Sequence, residues 1–148
     1  MRHPVSITQL KVCLSRGILS GGEIRTPNNK DHSDDPMQYV IKRDLTTRTT
    51  IGQLNGFMSH VRRYFTLENC DSVKVAVYQY YNDSGPFSRG GDSGCIVVDA
   101  LGKFVMLLTG GTGSTDSSDI MFGSPMFWLW DVIKEAFSDA NICFKDGN

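Results

Sequence analysis

From Gln38 onward the chain is a succession of short runs of β-branched and aromatic residues broken by polar turns, and this rhythm constrains the fold more than any other feature. "QYVIK" at 38–42, the threonine-rich "LTTRTTIGQLNGF" at 45–57 and the alternating "VKVAVY" at 73–78 all have strand length. In the last of these, Val73, Val75 and Val77 fall on one face. Ile96 to Val98 and Phe104 to Leu108 flank "DALG", which predicts a hairpin of well-buried strands turned by Asp99 and Gly102. Ile120 to Phe122 adds a last short strand. The expectation is a mainly β domain.

Helical patterning is confined to the ends. Ser6 with Gln9 three residues on forms a capping-box pattern, Ile7, Leu10 and Leu14 share a face, and Gly17 suits an exit, so the spacing predicts a helix over 7–16. Ser20 and Glu23 repeat the capping pattern, but Pro27 stops any longer helix there. "PNNKDHSDDP" at 27–36 is polar and bracketed by prolines, and reads as a surface linker. Near the other end Ser124 is a candidate cap and Pro125 a first helical residue, with Met126, Leu129, Trp130, Ile133 and Phe137 as a core-facing stripe. The chain therefore divides into an N-terminal helix and linker, 1–37, and a β-domain, 38–148.

Charge narrows the classes of partner. With 15 basic and 16 acidic residues the net charge is -1, which leaves no electrostatic footprint for nucleic acid or an anionic membrane. The apolar run Phe104 to Leu108 is too short to span a bilayer, and Met1 to Leu14 lacks the apolar segment of a signal peptide. The expected location is intracellular, in the cytoplasm. Cys13, Cys70, Cys95 and Cys143 form no C-x-x-C pair and have no histidine at ligand spacing, so they read as reduced, mostly buried thiols, with no metal or cofactor expected.

The chemistry-bearing stretch is "FSRGGDSGCIVVD", Phe87 to Asp99. Its Gly-Asp-Ser-Gly is also what an ordinary turn would use. However, "GGDSGCIVV", then "GKFVMLLTGG", then the closing "GSPMFWLWDVIKEAF" resembles in order the last part of trypsin-like serine proteases of intracellular type. The resemblance implies the second six-stranded β-barrel of a double-barrel fold, followed by a C-terminal helix. It also implies that Ser93 is the nucleophile, that the backbone N–H groups of Ser93 and Gly91 form the oxyanion hole, and that Asp92 shapes the turn.

Thr109, Gly110 and Gly111 resemble the family's edge segment, which pairs with the substrate backbone and lines the primary specificity pocket. Phe87 occupies the position six before the serine, acidic where the family cleaves after Lys or Arg, so tryptic specificity is not implied. Upstream, "VIKRDLTTRTTIGQLNG" is similar to the K-x-G-x-T-T-x-x-T-x-G opening of the second barrel through Lys42, Thr46, Thr47, Thr50 and Gly52, with Asp44 where glycine is expected. That segment supports the placement and otherwise reads as a Thr-rich edge strand.

A serine hydroxyl becomes a nucleophile only when a base accepts its proton and a carboxylate orients the base. In the family the histidine lies roughly 140 and the aspartate roughly 90 residues before the serine, which from Ser93 falls before Met1 and near His3 respectively. His3 is terminal, His32 lies in the polar linker and His60 in "GFMSHVRRYF"; none matches the family's catalytic histidine. Nor is there an Ile-Val-Gly-Gly type terminus to pair with Asp92, which must find another partner or face solvent.

These residues are compatible with three functions. The first is the C-terminal half of a serine endopeptidase, from a truncation or an incomplete gene model, that acts on peptide or protein substrates and hydrolyses poorly alone. The second is a pseudoprotease or peptide-binding module using the cleft around Gly110. The third is an enzyme with His32 or His60 as base. A missing first barrel would leave apolar surface for self-association or for association with that barrel.

Overall fold

A computed structural model describes residues 17–27, 29–31, 33–44, 47–81, 83–111 and 120–142. The expected helix at 7–16, His3, His32, Cys13 and Cys143 lie outside the described residues. Within them the protein is mainly β, with strands β1 (Asn29–Lys30), β2 (Pro36–Arg43), β3 (Thr49–Tyr64), β4 (Asn69–Gln79), β5 (Ile96–Asp99), β6 (Phe104–Gly111) and β7 (Met121–Pro125). Two helices accompany them, α1 (Gly21–Arg25) and α2 (Met126–Ala136).

All seven strands pair antiparallel in the order β1-β2-β3-β4-β7-β6-β5, and β5 pairs again with β2, so six of them close into a ring. Closure is made where Val40, Ile41 and Lys42 face Asp99, Val98 and Val97. It leaves β2 and β5 without open edges over those residues, and it encloses one apolar core of Val40, Leu54, Val75, Val77, Phe87, Val97, Val105, Met106 and Leu108.

The β5–β6 hairpin forms where the sequence predicts it, but its strands are not buried throughout, since Ile96 is 39% exposed. Asp99 Oδ1 accepts from the amides of Leu101 (2.9 Å) and Lys103 (2.8 Å), while Gly102 sits at φ 82°, a left-handed position that favours glycine. Segment 17–27 is packed into the domain, because Leu19 and Ile24 belong to the core. There α1 carries the expected capping box: the Ser20 hydroxyl accepts from the Glu23 amide and the Glu23 carboxylate from the Ser20 amide.

Several expectations need correction. The Thr-rich strand is interior, since β3 pairs with both β2 and β4. Val73 parts from Val75 and Val77: those two are fully buried, but Val73 is 45% exposed, because the distal half of the β3–β4 hairpin runs beyond β7, whose pairing with β4 ends at Val75. The 27–36 stretch is more than a linker, for Asn29 and Lys30 add a short strand to β2 and Asp31 caps the amides of Ser33 and Asp35.

Ser124 is the last-but-one residue of β7 and accepts from Lys74 Nζ (2.8 Å) instead of capping α2, and Pro125 is the cap residue itself. On α2 only Met126 is buried, and Phe137 ends the stripe exposed. Cys70 is exposed and Cys95 half-buried, so the buried-thiol expectation fails at Cys70.

Candidate functional site

The site starts from strand parity. On β2, Gln38, Val40 and Lys42 point to the same side, and that side is the core. A lysine is thereby carried inside the ring, 1% exposed, with its Nζ 5.4 Å from the centre of the Phe87 ring. A buried cation must be paired. Lys42 lies opposite Val97, and the chain entering that strand supplies the partner: Asp92, also 1% exposed, whose Oδ2 is 3.1 Å from Lys42 Nζ. Asp44 makes a second, closer ion pair with the same ammonium, and the Thr47 hydroxyl accepts from it as well.

Asp92 Oδ2 also accepts from the Thr47 hydroxyl (2.8 Å), the Ser88 hydroxyl (3.3 Å) and the Arg89 amide (2.9 Å), while Oδ1 has no hydrogen-bond partner among the described residues. Burial pushes the Asp92 carboxyl up, but the bonds donated by the Arg89 amide, the Thr47 hydroxyl and the Lys42 ammonium outweigh it and hold the group well below the usual carboxylate range. Asp92 is thus an ionised anchor at neutral pH, tied through Oδ2 both to β2 and to the turn.

That anchor organises residues 89–95. The Asp92 amide donates to the Arg89 carbonyl (3.1 Å) and the Cys95 amide to the Asp92 carbonyl (3.2 Å), while the Gly94 amide joins the turn to the Leu108 carbonyl on β6 (2.8 Å). Gly91 at φ 101° and Gly94 at φ 90° occupy left-handed backbone positions on either side of Asp92 and Ser93. Ser93 is exposed, and its hydroxyl has no hydrogen-bond partner among the described residues. Nor do the amides of Gly91 and Ser93 donate to any backbone carbonyl among the described residues.

Beyond Gly94 and Cys95, β6 outruns β5. Thr109, Gly110 and Gly111 are flanked by β7 alone among the described residues, and the Thr109 hydroxyl donates to the Phe122 carbonyl (3.1 Å). Among the described residues no strand pairs with the side next to the Ser93 turn. Gly110 is open above its Cα, since a Cβ there would meet only Arg63 Nη2 at 4.0 Å. Gly111 is different, because a Cβ there would run into the Met121 side chain, so its glycine serves packing.

The remaining sequence-predicted residues separate from Ser93. Phe87 is a core residue, 1% exposed; a Cβ on Gly52 would come within 2.7 Å of its ring, and its carbonyl accepts from the Thr50 hydroxyl. His60 is exposed on the distal half of β3 opposite Val73, and no hydrogen bond joins it to Ser93. Cys95 is close to the turn, and burial pushes its thiol up, towards the neutral form.

A cleft of about 780 Å³ lies elsewhere, between the exit of α1 and β3, lined among others by Arg25, Met37, Phe57 and Met58, and none of the Ser93 site residues borders it. Lys42, Thr47, Ser88 and Arg89 are the residues that sequence reasoning missed as parts of the site. One signal could have found Lys42: it is a charged residue on the core-facing parity of a strand. No protein-family model matches this chain, and no curated protein matches it.

Proposed function

We propose that this domain is the second, six-stranded barrel of a trypsin-like serine endopeptidase and that it supplies the nucleophile, Ser93, with the Gly91 and Ser93 amides as oxyanion donors. The observation that carries the reading is the buried Lys42–Asp92 pair. It holds an exposed serine between two left-handed glycines, on a turn whose Gly91 and Ser93 amides donate to no backbone carbonyl among the described residues. A plain surface turn has no need of a buried charge pair beneath it, which costs desolvation of both ions. Each oxyanion donor of this kind is worth about 3 kcal/mol to a transition state.

The base and its carboxylate come from polypeptide other than the described residues, because among these no histidine reaches Ser93. Hydrolysis therefore requires that further polypeptide. The test is to label the native protein with a fluorophosphonate and map the adduct by mass spectrometry. The expected result is an adduct at Ser93 that is absent from Ser93→Ala. A native protein that labels no faster than Ser93→Ala would sink the enzyme reading.

The open edge at Thr109–Gly111 supports a second reading, a module that holds extended peptides by strand addition without cleaving them. Peptide affinity that is unchanged in Ser93→Ala, together with no labelling, selects it.

A further inference from the structure

The distal β3–β4 hairpin carries two consecutive arginines with different fates. Arg62 is spent on Asp71, to which it donates from both Nε (2.6 Å) and Nη2 (2.9 Å). Arg63 has no ion-pair partner among the described residues, and its Nη2 lies 4.0 Å from where a Cβ on Gly110 would stand. Lys74, one strand over, bonds only the neutral Ser124 hydroxyl and has no carboxylate partner among the described residues. Burial, and next the charge of Arg63, push the Lys74 ammonium down, so the two cations feel each other. Among the described residues, an unpaired strand edge, an open glycine and positive charge without a carboxylate partner thus occur together.

Resting on the strand-edge reading above, we propose that Arg63 is a specificity residue: it receives an Asp or Glu side chain of an extended peptide laid along Thr109–Gly111. The guanidinium presents a planar fork that matches a carboxylate. A glycine at 110 leaves the space over the strand for the peptide's own side chain. Lys74 adds to the positive field, with one of its N–H groups donated to Ser124.

The test uses fluorescein-labelled octapeptides differing only in a Glu, Gln or Lys moved along the sequence, titrated by anisotropy with the full chain carrying Ser93→Ala to prevent turnover. At one position Glu binds about fivefold tighter than Gln, and the advantage shrinks with added salt. Arg63→Ala abolishes the advantage and Arg63→Glu turns the preference towards Lys, with the urea midpoint unchanged because Arg63 is exposed. Peptides that bind with no Glu preference, or a preference that survives Arg63→Glu, overturn the role of Arg63 and leave the edge reading standing. Failure of every peptide to bind overturns both.

Discussion

Two Asp-centred ion pairs in this molecule differ in almost everything except their chemistry. Arg62–Asp71, on the projecting hairpin, is bidentate and short, at 2.6 and 2.9 Å, with its side chains 55% and 64% exposed. Lys42–Asp92 is longer, at 3.1 Å, with both side chains fully buried beneath the serine turn. The better geometry belongs to the weaker interaction: water screens the first pair and holds either ion comfortably without the other, whereas in the second neither ion has water to fall back on. Bond length alone is therefore a poor guide to which pair the fold depends on.

The sharpest way to break the comparison is Lys42→Met. It leaves Asp92 and Asp44 without their shared cation, and it is expected to cost about 3–5 kcal/mol in urea unfolding. The double variant Lys42→Met/Asp92→Asn recovers most of that loss, since the strand keeps its apolar contacts and the fully buried carboxylate is gone. A Lys42→Met protein that unfolds like the parent would mean that the pair is hydrated and the anchor is not what shapes the turn.

Acid gives the next largest effect. A carboxyl held below its ordinary value binds its proton more weakly folded than unfolded, so the stability it contributes is complete above pH about 4 and drains away as pH falls through the folded value. Asp92 behaves this way, as does Glu23, which the Lys103 ammonium and the Ser20 cap hold at about 2. Thermal midpoints should accordingly be insensitive to these groups between pH 7 and about 5 and fall from about 4 downward. The fall is expected to be shallower in Lys42→Met/Asp92→Asn than in the parent. The smallest effect is that of Arg62→Ala, for which no resolvable shift in the urea midpoint is expected at physiological salt. A large shift there would show that the projecting hairpin is cooperative with the ring.

Much of the ring was legible because a pleated strand advertises its period and its turns carry their own chemistry: "DALG", "VKVAVY" and "QYVIK" each state locally what they become. The turn at Ser93 was legible for the same reason, since glycines on both sides of Asp-Ser mark left-handed backbone. The misreadings fell where a local signal had a distant competitor. Ser124 is a good cap by type, but Lys74 claims its hydroxyl across the sheet. Phe87 stands six before the serine, yet the core claims its ring. Val73 has its strand's parity, but its neighbour strand ends too soon to cover it.

By itself the sequence determined an antiparallel β-domain, a capped helical turn at Ser20, and a glycine-flanked serine turn that can be made in one conformation. These depend on backbone sterics and on residues a few positions apart. Only the tertiary structure decided that Asp92 faces Lys42, fifty residues away. It also decided that Arg63 rather than Arg62 stands over Gly110, and that no histidine among the described residues hydrogen-bonds Ser93. Those outcomes rest on ring closure and on where each strand outruns its partner, which bring together residues whose separation along the chain carries no period.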